Sequence, residues 1–189
     1  MTLGTLVLNG ILLGAALAVD AFSVSVANAI NEAKMPGKRA AFIAAVFGVF
    51  QALMPMAGWV CVRFVASIFS AFEKWIPWIA ALLLFIIGVK MIMEGIKHPG
   101  EDEVVITSHA ILFAQGVATS IDALSVGFAI AGLSFPAALA ESLIIGLVTF
   151  GICLTGLFLG KKLGAAVRGR ASVLGGLILI FIGIMGLIR

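Results

Sequence analysis

Apolar residues in this chain neither alternate, as in a half-buried strand, nor fall into the one-sided stripe of a surface helix. They run on. Six such runs follow one another: Leu3–Ala29, Ala40–Val65, Trp75–Ile96, His109–Leu133, Ala137–Leu159 and Ser172–Ile188. Each is near the roughly 20 residues that a helix needs to cross the hydrocarbon of a bilayer. Between them stand Pro36-Gly37, His98-Pro99-Gly100 and Ser134-Phe135-Pro136, residues that favour turns. The pattern predicts an all-α integral membrane protein with six transmembrane helices.

Composition sharpens this. The chain has 189 residues, 62% of them hydrophobic and 11% charged, with a mean hydropathy of +1.24. A single soluble core of this size cannot hide that much apolar surface, so lipid must cover the excess. Neither a soluble enzyme nor a nucleic-acid-binding module is expected. Cys61 and Cys153 form no CxxC pair and no disulfide framework. The first run lacks the basic leader of a signal peptide and carries Asp20, so it reads as a retained span. Lysine and arginine divide unevenly between the two sides of a six-span chain. Lys34, Lys38, Arg39, Lys90, Lys97, Lys161, Lys162, Arg168 and Arg170 lie on one side, and Arg63, Lys74 and Arg189 on the other. The positive-inside rule then puts the first, third and fifth loops in the cytoplasm and both termini outside.

The first and fourth runs are copies of each other. Gly14 to Ala27 aligns with Gly116 to Ala129 at a constant offset of 102, with seven of fourteen positions identical, including Asp-Ala-x-Ser-Val in both. Gly48 and Gly58 match Gly146 and Gly156 at an offset of 98, and Ile87-Gly88 matches Ile182-Gly183. Shared apolar composition alone is enough to produce these weaker matches. A repeat of three spans returns the chain to the opposite face, so the second copy enters inverted. The expected organisation is a three-helix repeat over residues 1–96, an acidic cytoplasmic linker over 97–108, and a second three-helix repeat over 109–189. Inverted repeats are the build of secondary transporters, whose sites lie near the midplane between the halves.

Asp20 and Asp122 fall near the middle of their spans. A carboxylate there costs roughly 2.5–3.5 kcal/mol on insertion scales, so it is ordinarily kept for function. If the halves meet at the midplane, the two converge, and two like charges in low dielectric do not both stay ionised without a cation between them. A divalent metal supplies that charge, and two protons replace it when the metal leaves. Helical spacing sets Ser23 beside Asp20 and Ser125 beside Asp122, with Thr119 one turn earlier. Such hydroxyls either ligate a cation or bond helix carbonyls. In the second span Pro55 frees the main-chain oxygen of Gln51. The Gln51 amide adds another oxygen, and Met54 and Met56 flank the proline. The equivalent of Gln51 in the fifth span is Thr149. The expected metal site is therefore Asp20, Asp122, Ser23, Ser125, Thr119, Gln51 and Met54. Hard oxygens favour magnesium, calcium or manganese, and a thioether leans toward manganese. Asn28, Asn31 and Glu32 lie at the cytoplasmic mouth of the first span, and Glu94 at the end of the third follows Lys90 by four residues. Asn31, Glu32 and Glu94 are candidates for the way in. Glu101, Asp102 and Glu103 form an acidic loop that reads as solvated.

These landmarks resemble the MntP family of manganese efflux pumps, within the LysE-like exporters. The resemblance rests on Val19-Asp20-Ala21-Phe22, on Phe47-Gly48 through Gln51, Met54, Pro55 and Gly58, and on Gly88, Lys90-Met91-Ile92 and Glu94. Ala118 to Ala123, Gly175-Gly176 and Ile182-Gly183 complete it. It implies a bacterial inner-membrane protein that exports manganese(II), with Asp20 and Asp122 essential. Manganese is then the transported ion rather than a cofactor. Membrane lipid surrounds the chain, no nucleic acid is a partner, and a homo-oligomer is open. Two other readings remain: a LysE-like exporter of small amino compounds, with one aspartate holding an ammonium group, or a non-transporting helical scaffold. No nucleophile and base at catalytic spacing and no phosphate loop are present, so an enzyme is not expected.

Overall fold

The computed structural model of the chain describes residues 3–32, 34–72 and 107–166, with further helical positions scattered through 78–96 and 173–184. Among the described residues every regular element is an α-helix: α1 (Leu3–Asn31), α2 (Gly37–Phe72), α3 (His109–Ser120), α4 (Ala123–Ala129) and α5 (Phe135–Ala166). Leu3–Asn31, Gly37–Val62 and Phe135–Leu163 are long and apolar enough to cross a membrane, and α3 with α4 makes a fourth span if the bent pair is one crossing. The third and sixth predicted spans lie largely outside the described residues, although the positions described within them are helical.

Helix ends follow local chemistry. Pro36 precedes α2, and its carbonyl accepts from the amide of Ala40 at 3.1 Å. Ser108 caps α3, its Oγ accepting from the Ile111 amide at 3.4 Å. Pro136 sits in the first turn of α5, where its missing N–H would have no helical partner anyway.

Small residues are buried beside larger ones such as Phe47, Leu112 and Leu157, and many large apolar residues face outward. Ala18, Ala21, Ala27, Ala29, Ala40 and Ala44 are buried, while Leu8, Leu12, Leu53, Leu147 and Phe158 are exposed. The outward-facing leucines and phenylalanines depart from the usual soluble arrangement. The pattern suits helices that must approach closely while their outer faces meet lipid tails.

Close approaches at glycine fix which helices touch and in which sense. Gly10, Gly14, Phe22 and Val26 of α1 meet Ile144, Val148, Gly156 and Gly160 of α5 in that order, so the two run parallel. Along α2, Phe50 meets Gly116 of α3, and Gly58 meets Leu124 of α4. The Trp59 indole then donates to the Leu133 carbonyl at 3.2 Å beyond α4. That pairing is parallel as well. α2 and α5 cross antiparallel where Gly48 meets Gly146. A Cβ on Gly48 would lie 2.8 Å from the Gly146 carbonyl oxygen, and one on Gly146 would lie 2.7 Å from that of Gly48.

These contacts come in matched pairs. Gly48 and Gly146 touch each other. Gly58 seats on the carbonyl of Leu124, and Gly156, 98 residues later, seats on that of Phe22, 102 residues before Leu124. Gly14 packs on Val148, and its counterpart Gly116 packs on Phe50, the counterpart of Val148.

Candidate cation site

The fourth span departs from expectation. In place of one continuous helix over His109–Leu133, α3 stops at Ser120 and α4 restarts at Ala123, with a 40° bend between them. The cause is local. The Thr119 hydroxyl donates to the Gln115 carbonyl at 2.9 Å, and the Ser120 hydroxyl donates to that of Gly116 at 2.6 Å. Those carbonyls are the ordinary helical acceptors for the amides of Thr119 and Ser120, and such side-chain competition bends helices. Past the break, the Leu124 and Ser125 amides donate three residues back, to Ile121 and Asp122, at 3.3 and 3.0 Å.

The break moves the residues expected to share one face. Thr119 is buried at the end of α3, whereas Asp122 and Ser125 are exposed on the α4 side. On unbroken α1, Asp20 and Ser23 are half-buried, and the Ser23 hydroxyl donates to the Val19 carbonyl at 2.9 Å. The hydroxyl protons of Ser23 and Thr119 are thus engaged by helix carbonyls. Only their oxygen lone pairs are left for other chemistry.

Gln51 and Thr149 are both fully buried, and neither the Gln51 amide nor the Thr149 hydroxyl has a hydrogen-bond partner. Each stands three residues after the glycine at which its helix crosses the other. Met54 is half-buried, and α2 passes through Pro55 as one helix.

At the end of the bundle where α1 finishes and α2 and α3 begin, the polar groups are paired. Glu32 is buried, and its carboxylate accepts from Arg39 Nε at 2.8 Å. Arg39 Nη2 also donates to the Thr107 carbonyl at 2.6 Å. One guanidinium therefore ties together the ends of three helices. Asn31 is buried beside Glu32 in sequence. One turn deeper, Asn28 and Gln115 exchange two hydrogen bonds, Nδ2 to Oε1 at 2.7 Å and Nε2 to Oδ1 at 3.2 Å. Glu94 and the acidic loop lie outside the described residues.

Sequence reasoning passed over Gln115, the bridging role of Arg39 and, above all, Glu141. Its signal was an acidic residue within the fifth apolar run. Among the described residues no three His, Cys, Asp or Glu side chains come together closely enough to hold a metal ion. Beside carboxylates, the described residues offer amide, hydroxyl and backbone oxygens.

Comparison with known proteins gives a consistent result. The Mntp family model, described as "Putative manganese efflux pump", matches residues 34–187. A Clostridium perfringens protein called "Putative manganese efflux pump MntP" is 40% identical across 94% of this chain and 92% of its own length. Proteins of the same name from Methanosarcina acetivorans and Methanothermobacter thermautotrophicus are 42% and 41% identical, across 93% and 94% of this chain and 92% and 93% of their own lengths. No solved structure matches.

Proposed function

Because this chain belongs to the Mntp family of manganese efflux pumps, we propose that it exports manganese(II) across the bacterial cytoplasmic membrane by alternating access between two inverted three-helix repeats. The observation that carries the mechanism is the matched pair of close contacts. The Phe22 carbonyl lies against Gly156, and the Leu124 carbonyl lies against Gly58. Asp20 and Asp122 each precede that carbonyl by two residues. The two aspartates thus occupy equivalent positions, each on a span seated against a glycine of the other half.

Two carboxylates match the charge of one divalent ion. Gln51 and Thr149, unpartnered and buried beside the Gly48–Gly146 crossing, add neutral oxygens of the kind that suits manganese. The helix break at Asp122 interrupts regular helix inside an apolar span. Irregular backbone at that depth is tolerated where it is enclosed by protein or lines a path for solute. On release of the metal, two protons restore neutrality, which makes proton exchange the natural counter-movement. The lysine and arginine bias sets the Arg39 end in the cytoplasm and both termini outside.

The test is manganese flux in proteoliposomes, with Asp20→Asn and Asp122→Asn beside the parent and magnesium, calcium and zinc as competitors. Manganese-selective flux in the parent should fall by more than about tenfold in each variant, since each loses a charged ligand. Undiminished flux in both variants removes the aspartate mechanism. A well-folded parent that moves amines but no metal would return the chain to the amine-exporter reading, and one that moves neither would return it to the scaffold reading.

A further inference from the structure

Among the described residues, four buried side chains carrying polar atoms without a hydrogen-bond partner lie on α2 and α5: Gln51, Thr149, Ser142 and Glu141. The first two flank the crossing. Ser142 and Thr149 are seven residues apart and share a helix face, and Glu141 directly precedes Ser142. Glu141 is only 2% exposed, and its Oε2 meets no donor. It stands eight residues from Thr149, about 12 Å along the helix, and its main chain packs beside Gly10 near the start of α1. That is the end of the bundle opposite the Arg39–Glu32 pair.

Duplication does not account for Glu141. At the repeat offset of 98, the positions matching Glu141 and Ser142 are Ile43 and Ala44, and both are fully buried in the apolar core. An isoleucine therefore suits the corresponding packing position, yet here a carboxylate is buried against its preference for water. The difference gives one end of the bundle an ionisable group that the corresponding position lacks.

We propose that Glu141 is a second cation-binding station, reached from the centre past Thr149 and Ser142, that holds the exported divalent metal ion before release. This rests on the transport reading above. Its donors are hard oxygens, as manganese(II) requires. A single carboxylate leaves half of the ion's charge unmatched, so the station binds more weakly than the aspartate pair. Weak binding is what a departure site needs, because an ion held too firmly does not leave.

The experiment counts manganese bound to the full chain in lipid nanodiscs, using the electron paramagnetic resonance signal of the free ion. The parent should show a tight and a weak class of site. Glu141→Gln should lose the weak class, or bind it at least about tenfold more weakly, and keep the tight one. Glu141→Ile, carrying the residue of the other repeat, should do the same and stands in if the glutamine variant does not fold. Asp20→Asn with Asp122→Asn should lose the tight class and keep the weak one. Weak binding unchanged in both Glu141 variants overturns the station while the aspartate site stands. A parent that binds no manganese overturns both.

Discussion

The two aspartate motifs share half of their residues and differ in backbone. Around Asp20, α1 is one helix from Leu3 to Asn31; around Asp122, the chain breaks and bends by 40°. The residues just before each aspartate decide this. α1 has Leu17 and Ala18 where the other copy has Thr119 and Ser120, and only the latter pair has hydroxyls to offer the carbonyls one turn back. The consequence is visible in burial: Asp20 is half-covered and Asp122 exposed. A repeat can thus hold its packing contacts in register while two side chains retune one copy of the motif.

Three experiments probe that comparison beyond the flux and binding tests. The largest effect should come from the glycine seats. Gly58→Ala forces a methyl group against the Leu124 carbonyl, and Gly156→Ala sets one 2.9 Å from that of Phe22. Overpacking of this kind costs about 1–3 kcal/mol. Gly58→Ala should fall at the upper end and Gly156→Ala at the lower, read from the midpoint of unfolding in mixed micelles. The reverse order would break the equivalence of the two seats. Next comes the amide pair that links the two motif helices. Asn28→Ala leaves Gln115 buried without its partner and should cost about 1–2 kcal/mol, part of which Asn28→Ala with Gln115→Ala restores. A double loss equal to the sum of the Asn28→Ala and Gln115→Ala losses would show that the pair adds no coupling. The smallest effect belongs to the break itself. Ser120→Ala with Thr119→Val removes both hydroxyls without adding bulk and should change stability by less than about 1 kcal/mol. Slower hydrogen exchange at the amides of residues 121–125 is expected. Unchanged exchange would mean that the hydroxyls follow the bend rather than cause it.

Hydropathy made the long helices legible because burial in lipid and apolar composition are nearly the same statement. The run Leu3–Ala29 became α1 with two more residues at its end. The second span began at Gly37 rather than Ala40, because Lys38 and Arg39 read as loop when judged by charge, whereas Arg39 turns inward to Glu32. The break at Asp122 escaped because hydropathy does not register a hydroxyl competing for a helix carbonyl; the adjacent Thr119-Ser120 was the signal. Gln51 was found from Pro55, since proline's effect on the carbonyl four residues back is local geometry. Its pairing with Thr149 about a crossing needed the third dimension. Glu141 was missed because the search followed the repeat, and the residue departs from it.

The Gly48–Gly146 crossing has a mechanical meaning. Helices usually interlock as side-chain ridges set into grooves, and turning one against the other means unseating them tooth by tooth. At this crossing two main chains touch, with the Cβ atoms of Ala52 and Phe150 directly beside them. The contact behaves as a plain bearing: it fixes the spacing of the two helices while leaving their angle comparatively free. An alanine on either surface would act as a burr, jamming the contact and loosening the fold together.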